Sequence, residues 1–130
     1  MIMFEIHDTP HAQKQTRFSK GHCYDPSKHH KDMLQWQMRP YAPTEPLSGP
    51  VHVDITFLMP IPKSVSASQR RQMIANNIHA IKRPDIDNLA YIITNAMKTI
   101  MYKDDSQVVD LCLHKRYAEN PKTIVTVREL

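Results

Sequence analysis

At 130 residues, with 41% apolar and 23% charged residues, the chain suits one globular domain around a single core. No apolar run approaches membrane-spanning length and no secretory leader opens the chain, so residues 1–130 are expected to form one cytoplasmic domain with no membrane partner. Seventeen Lys and Arg against 13 Asp and Glu give a net charge of +4, which suits an anionic partner. Cys23 and Cys112 lie far apart with no CxxC spacing, which points to reduced thiols rather than a disulfide or a zinc site.

In chain order, residues 1–7 read as a strand with Ile2, Phe4 and Ile6 on one face. From Asp8 to Lys20 the pattern dissolves into a polar loop in which Lys14, Arg17 and Lys20 recur every third position. That loop is either a solvated basic surface or an arm that contacts phosphate. Gly21 marks a turn. Asp25-Pro26 then suits a helix start, since proline at the first helical position loses no hydrogen bond. This helix is expected to run to about Met38, with Met33, Leu34, Trp36 and Met38 as its apolar members. His29 and His30 are adjacent, so they diverge by about 100° and read as solvent-facing rather than as a metal pair.

A proline-rich linker over residues 40–50 precedes Val51 to Phe57, which alternate strictly and form the clearest strand. Asp54 falls on its polar face. Ser66 or Ser68 can cap a short, weakly amphipathic helix bearing Arg70 and Arg71, which face solvent or a DNA backbone. Leu89, Ile92, Ile93, Ala96, Met97, Ile100 and Met101 keep one helical stripe and predict the strongest helix, capped by Asp87 or Asn88. Val108 to Leu113 and Lys122 to Val127 read as an antiparallel hairpin. The element order predicts an α+β fold: a two-layer sandwich with a mixed, mostly antiparallel sheet and helices packed on one face.

The chemistry concentrates at the two ends of the strongest helix. Asp85 and Asp87 precede it, after Lys82, Arg83 and Pro84, while Asp104 and Asp105 follow it. Two carboxylates about 5 Å apart repel by roughly 3 kcal/mol at an effective dielectric near 20. A divalent cation is the usual compensation, and all-oxygen ligands favour Mg2+ or Mn2+ over zinc. Such an ion polarises a phosphodiester, activates water and neutralises the leaving oxygen. In an extended segment Asp85 and Asp87 would point the same way. Each pair also has a plain structural explanation, as a helix cap or as a solvated turn. A helix of about 14 residues holds its ends about 20 Å apart. Either the chain after Met101 therefore folds back, or a second subunit supplies one pair.

The run Arg83-Pro84-Asp85-Ile86-Asp87-Asn88, about a dozen helical residues, then Tyr102-Lys103-Asp104-Asp105-Ser106-Gln107-Val108, closely resembles the RusA family of Holliday junction resolvases. Lys14 to Phe18 and Tyr24-Asp25-Pro26 look like that family's basic N-terminal loop. The resemblance implies a homodimeric, Mg2+-dependent endodeoxyribonuclease that resolves four-way junctions in DNA recombination and repair by paired nicking. A two-fold dimer would match a two-fold junction. It also implies that Asp85, Asp87 and Asp105 are catalytic, with Asp104 in the same metal-binding acidic site. Lys14, Arg17, Lys20, Arg70, Arg71, Lys82 and Arg83 are the expected DNA contacts. Two positions depart from the family pattern: Tyr91 stands where a lysine is common, and Asn95 where an aspartate is. Tyr91 means slower turnover, or phosphate charge met by Lys82, Arg83 or Lys98. The rival readings are an inactive junction- or DNA-binding protein and a phosphodiesterase acting on RNA or nucleotides.

Overall fold

The computed structural model describes residues 1–12, 17–19, 22–24 and 28–130, the two three-residue stretches by backbone alone. The chain runs through β1 (Ile2–Ile6), β2 (Arg17–Ser19), β3 (His22–Tyr24), α1 (Lys28–Met38), β4 (Val51–Pro60), α2 (Ala67–Ile74), α3 (Ile86–Met97), β5 (Val108–Ala118) and β6 (Lys122–Glu129). This is an α+β fold with a four-stranded mixed sheet in the order β1-β6-β4-β5. β6 runs antiparallel to both β1 and β4, and β5 runs parallel to β4.

β4 is central because its alternation demands it. Val51, Val53, Ile55, Phe57 and Met59 are buried, while His52, Asp54, Thr56 and Leu58 on the other face are half-buried. Burying a side chain of this size contributes about 1.5–3 kcal/mol each, so a one-residue slip would forfeit the whole row. The same core takes Phe4 and Ile6 from β1, Val125 and Val127 from β6, and Leu34 and Met38 from α1. From α3 it takes Leu89, Ala90, Ile92, Ile93, Ala96 and Met97.

Four local expectations change. The expected C-terminal hairpin is split: β5 and β6 are antiparallel in direction, but β4 lies between them and pairs with both. Nothing in a strand's own pattern shows which neighbour inserts, because alternation records burial and not pairing. The expected loop over 8–20 contains β2, which pairs antiparallel with β3 in a separate two-stranded sheet. In α1, Leu34 and Met38 are buried but Met33 and Trp36 are exposed, so the apolar stripe is narrower than the composition suggested. His30 is half-buried edge-on against His11, with ring centroids 5.0 Å apart, whereas His29 is exposed as expected. The expected Asp25-Pro26 start of α1, the Gly21 turn, Lys14 and Lys20 lie outside the described residues.

The fourth change sets up the site. α3 ends at Met97, although its apolar stripe continues through Ile100 and Met101. Those two remain buried because the chain turns rather than because it stays helical. Thr99 adopts a positive φ of 71°, and its N–H donates to the Tyr102 carbonyl at 2.6 Å. The Tyr102 ring is buried and its hydroxyl donates to the Thr94 carbonyl at 2.7 Å. That carbonyl lies in the last turn of α3, where helical partners run out. The chain is thereby folded back along the helix it has just left.

Candidate active site

At the N-terminal end of α3, Asp85 occupies the cap position with extended backbone (φ −70°, ψ 145°), yet its side chain makes no capping hydrogen bond. Asp87 is in the first helical turn. The cap is thus two or three residues earlier than expected, and the pair spans a loop-to-helix junction rather than one extended segment. Both carboxylates are exposed, and neither makes a hydrogen bond or ion pair among the described residues. The unpaired N–H groups of a helix start favour negative charge there. Lys115 of β5 braces the approach: its ammonium donates to the carbonyls of Lys82 at 2.9 Å and Pro84 at 2.8 Å. The Arg83–Pro84 peptide between those carbonyls is cis. Lys115 escaped the sequence reading because it lies 30 residues beyond Asp85 with no local motif to mark it.

The C-terminal end is built differently. Asp104 opens a 3-10 turn (Asp105–Gln107) and is committed to it. One carboxylate oxygen accepts from the Ser106 N–H at 3.1 Å and from the Ser106 hydroxyl. The other meets the Lys98 ammonium at 3.1 Å. Hydrogen bonds from the Ser106 hydroxyl, Lys98 and the Ser106 N–H, in that order, lower the Asp104 carboxyl to about 2. The same bond, with the charges of Asp104 and Asp105, raises Lys98. Burial first, and those two charges second, raise the Tyr102 phenol. Lys98 therefore supplies the compensation that two acids beside a helix C-terminus require. Among the described residues, Lys103 makes no such pair.

Gln107 locks the turn. Its side-chain oxygen accepts from the Asp104 N–H at 2.8 Å, and its amide donates to the carbonyls of Leu47 at 2.8 Å and Gly49 at 2.9 Å. The Leu47 N–H in turn donates to the Met101 carbonyl at 2.9 Å. The proline-rich linker thus serves as the abutment for the turn. Asp105 is exposed, unpaired among the described residues, and lines an open cleft of about 410 Å³ with Thr94, Ser106, Val108, Asp110 and Leu111.

The chain therefore turns back after Met101, and Asp105 lines the same cleft as Thr94 in the last turn of the helix. Asp87, Tyr91, Thr94 and Lys98 follow each other at helical spacing, so one stripe of α3 joins the two acid pairs. Tyr91 is 55% exposed on that stripe and Asn95 is half-buried beside it. The four carboxylates themselves do not converge. Among the described residues, no three of them bring ligand oxygens close enough to share an ion.

Arg70, Arg71, Lys82 and Arg83 are all exposed and form no ion pair among the described residues. Arg70 and Arg71 ride on α2, which Ser66 caps reciprocally with Gln69 and which packs against β5. These charges lie along the stretch that leads into Asp85. Arg17 is in β2, where only the backbone is described.

The family model of endodeoxyribonuclease RusA matches residues 8–128, and the chain belongs to that family of endodeoxyribonucleases, one that implies resolution of Holliday junctions. It is also similar to "Uncharacterized protein YqaN" of Bacillus subtilis (strain 168), at 36% identity over 137 residues, covering 99% of this chain and 96% of that protein. No helix among the described residues is long and apolar enough to cross a membrane.

Proposed function

We propose that the chain is a Mg2+-dependent, structure-specific endodeoxyribonuclease that resolves four-way DNA junctions by paired nicking as a homodimer. One observation carries this reading. Asp85 stands at a helix cap without capping, Asp87 and Asp105 are equally unengaged, and all three are exposed on or beside one helix stripe. A purely structural explanation would have used them. The donor set fits the ion, since it consists of hard, unpaired carboxylate oxygens. Asp85, Asp87 and Asp105 would hold it, and Asp104 could join them only by releasing Ser106 or Lys98. Bound there, Mg2+ supplies Lewis-acid polarisation of the phosphodiester and charge neutralisation at the leaving oxygen. Lys115 fixes the backbone that delivers Asp85. Gln107 and Tyr102 fix the turn that delivers Asp105. Arg70, Arg71, Lys82 and Arg83, which form no ion pair among the described residues, would hold the DNA backbone, together with Lys14, Arg17 and Lys20 of the N-terminal region.

The deciding assay is nicking of a synthetic four-way junction in Mg2+. Asp87→Asn should abolish nicking while junction binding in Ca2+ persists, and normal cutting by that variant would refute the mechanism. A second reading, binding without cleavage, draws on Tyr91, which puts a phenol where the family pattern has an ammonium. Gel-shift binding by the unaltered chain with no cleavage in Mg2+ or Mn2+ would favour it.

A further inference from the structure

A second cluster, on strands β4 and β5, shares no ligand with the acidic site, although its Asp110 lines the same cleft as Asp105. His52 of β4 and Asp110 and Cys112 of β5 each offer a donor atom, and the three atoms lie within 4.8 Å of one another. His52 Nδ1 and Asp110 Oδ2 already meet at 2.7 Å, and Cys112 is a free thiol. This is the one trio of possible ligands that converges among the described residues. We propose that His52, Asp110 and Cys112 form a binding site for a zinc-class transition-metal ion, separate from the aspartates around α3.

The cluster is produced by register. Val51 pairs with Val108 but His52 pairs with Asp110, so a bulge at Val109 shifts β5 by one residue. Without that shift His52 would face Val109 and Asp54 would face Leu111. The bulge turns a valine and a leucine away from this face and brings Asp110 and Cys112 onto it. It also pairs Leu113 with Ile55, and Leu113 packs against the core. Core register alone, however, asks nothing of the three polar positions, and they hold an imidazole, a carboxylate and a thiol. Nitrogen, oxygen and sulfur together select a borderline-soft ion such as Zn2+ and select against Mg2+.

Zinc–ligand bonds of about 2.0–2.3 Å would draw the three donors to roughly 3–4 Å apart. This is a small contraction for side chains on a strand at the sheet edge. His52 is only 16% exposed and so provides the fixed donor, while Asp110 at 58% can adjust. Asp54, the cross-strand partner of Cys112, lies 4.0 Å from His114 and stands outside the trio. Three protein ligands leave an open position, the pattern of an exchangeable site rather than a closed structural one. Binding replaces the Cys112 thiol proton with the metal and releases that proton to solvent, so affinity rises with pH.

Titration of the full chain with Co2+ tests the site by a readout independent of nuclease activity. The expected result is a thiolate-to-cobalt charge-transfer band that Zn2+ displaces. The band should disappear in Cys112→Ser and require at least roughly tenfold more Co2+ in Asp110→Asn, the cost of losing a metal-site partner. It should persist in Cys23→Ser and in Asp87→Asn. No band in the unaltered chain, a band that survives Cys112→Ser, or one lost in Asp87→Asn would overturn the proposal. Asp110 is exposed enough that its amide variant should fold normally, so the test does not depend on Cys112 alone.

Discussion

The two ends of α3 carry the same pair of residues and use them in opposite ways. At the N-terminal end both aspartates are exposed and unengaged among the described residues, although a helix start offers them N–H groups to bind. At the C-terminal end Asp104 is held by Ser106 and Lys98, while its neighbour Asp105 is left free. The difference shows which acids the fold needs for itself. An aspartate that builds a turn is already satisfied, and one that remains exposed and unpaired is available to a ligand. By that criterion Asp85, Asp87 and Asp105 are the proposed working set, with Asp104 proposed to position Asp105.

The sharpest way to break this comparison is to neutralise one acid from each class. Asp85→Asn should lower junction nicking by more than roughly 100-fold, beyond the cost of losing a group that only supports a ligand, with little change in thermal stability. Asp104→Asn should retain more activity than Asp85→Asn in the same assay. Equal losses would erase the distinction. A milder effect is expected at the brace: Lys115→Met frees the carbonyls of Lys82 and Pro84 and should reduce nicking about 10–100-fold, with junction binding in Ca2+ largely retained.

Smaller still is the cost at the turn. Tyr102→Phe removes the hydroxyl bond to Thr94 and should destabilise the protein by about 0.5–1.5 kcal/mol in urea unfolding. The finest test uses pH. Folding lowers the Asp104 carboxyl to about 2, so its stabilisation is complete above the ordinary aspartate range near pH 4 and fades as pH falls toward 2. Asp104→Asn should therefore flatten the pH dependence of stability across that window. Ion-pair screening keeps the effect modest at these exposed positions.

Much of the fold was legible where a segment's own periodicity states its burial. β1 and β4 follow their alternation, and α3 follows its stripe from Leu89 to Met97. Legibility failed where the outcome depends on a partner distant in sequence. Lys122 to Val127 reads as a strand from its residues alone, but its place between β1 and β4 does not. Ile100 and Met101 continued the helical pattern because they are buried, yet a turn buries them as well as a helix would. The candidate site divides along the same line. The aspartates were visible as a motif, and their resemblance to a nuclease family was visible with them. The free state of Asp85, the engagement of Asp104 and the roles of Lys115 and Gln107 were not.

What the sequence determined by itself is therefore chemical: which side chains bury, which acids cluster, and which family the acidic motif resembles. Only the tertiary structure decided geometry. It brought Asp105 back beside Thr94 and tied Lys115 to the peptide before Asp85. It also slipped β5 by one residue so that His52 meets Asp110 and Cys112 across the sheet. The physical reason is one of range. Periodicity and capping act over a few residues, so they are written locally. Strand register and chain reversal are set by contacts between residues tens of positions apart, and those become visible only once the chain has closed on itself.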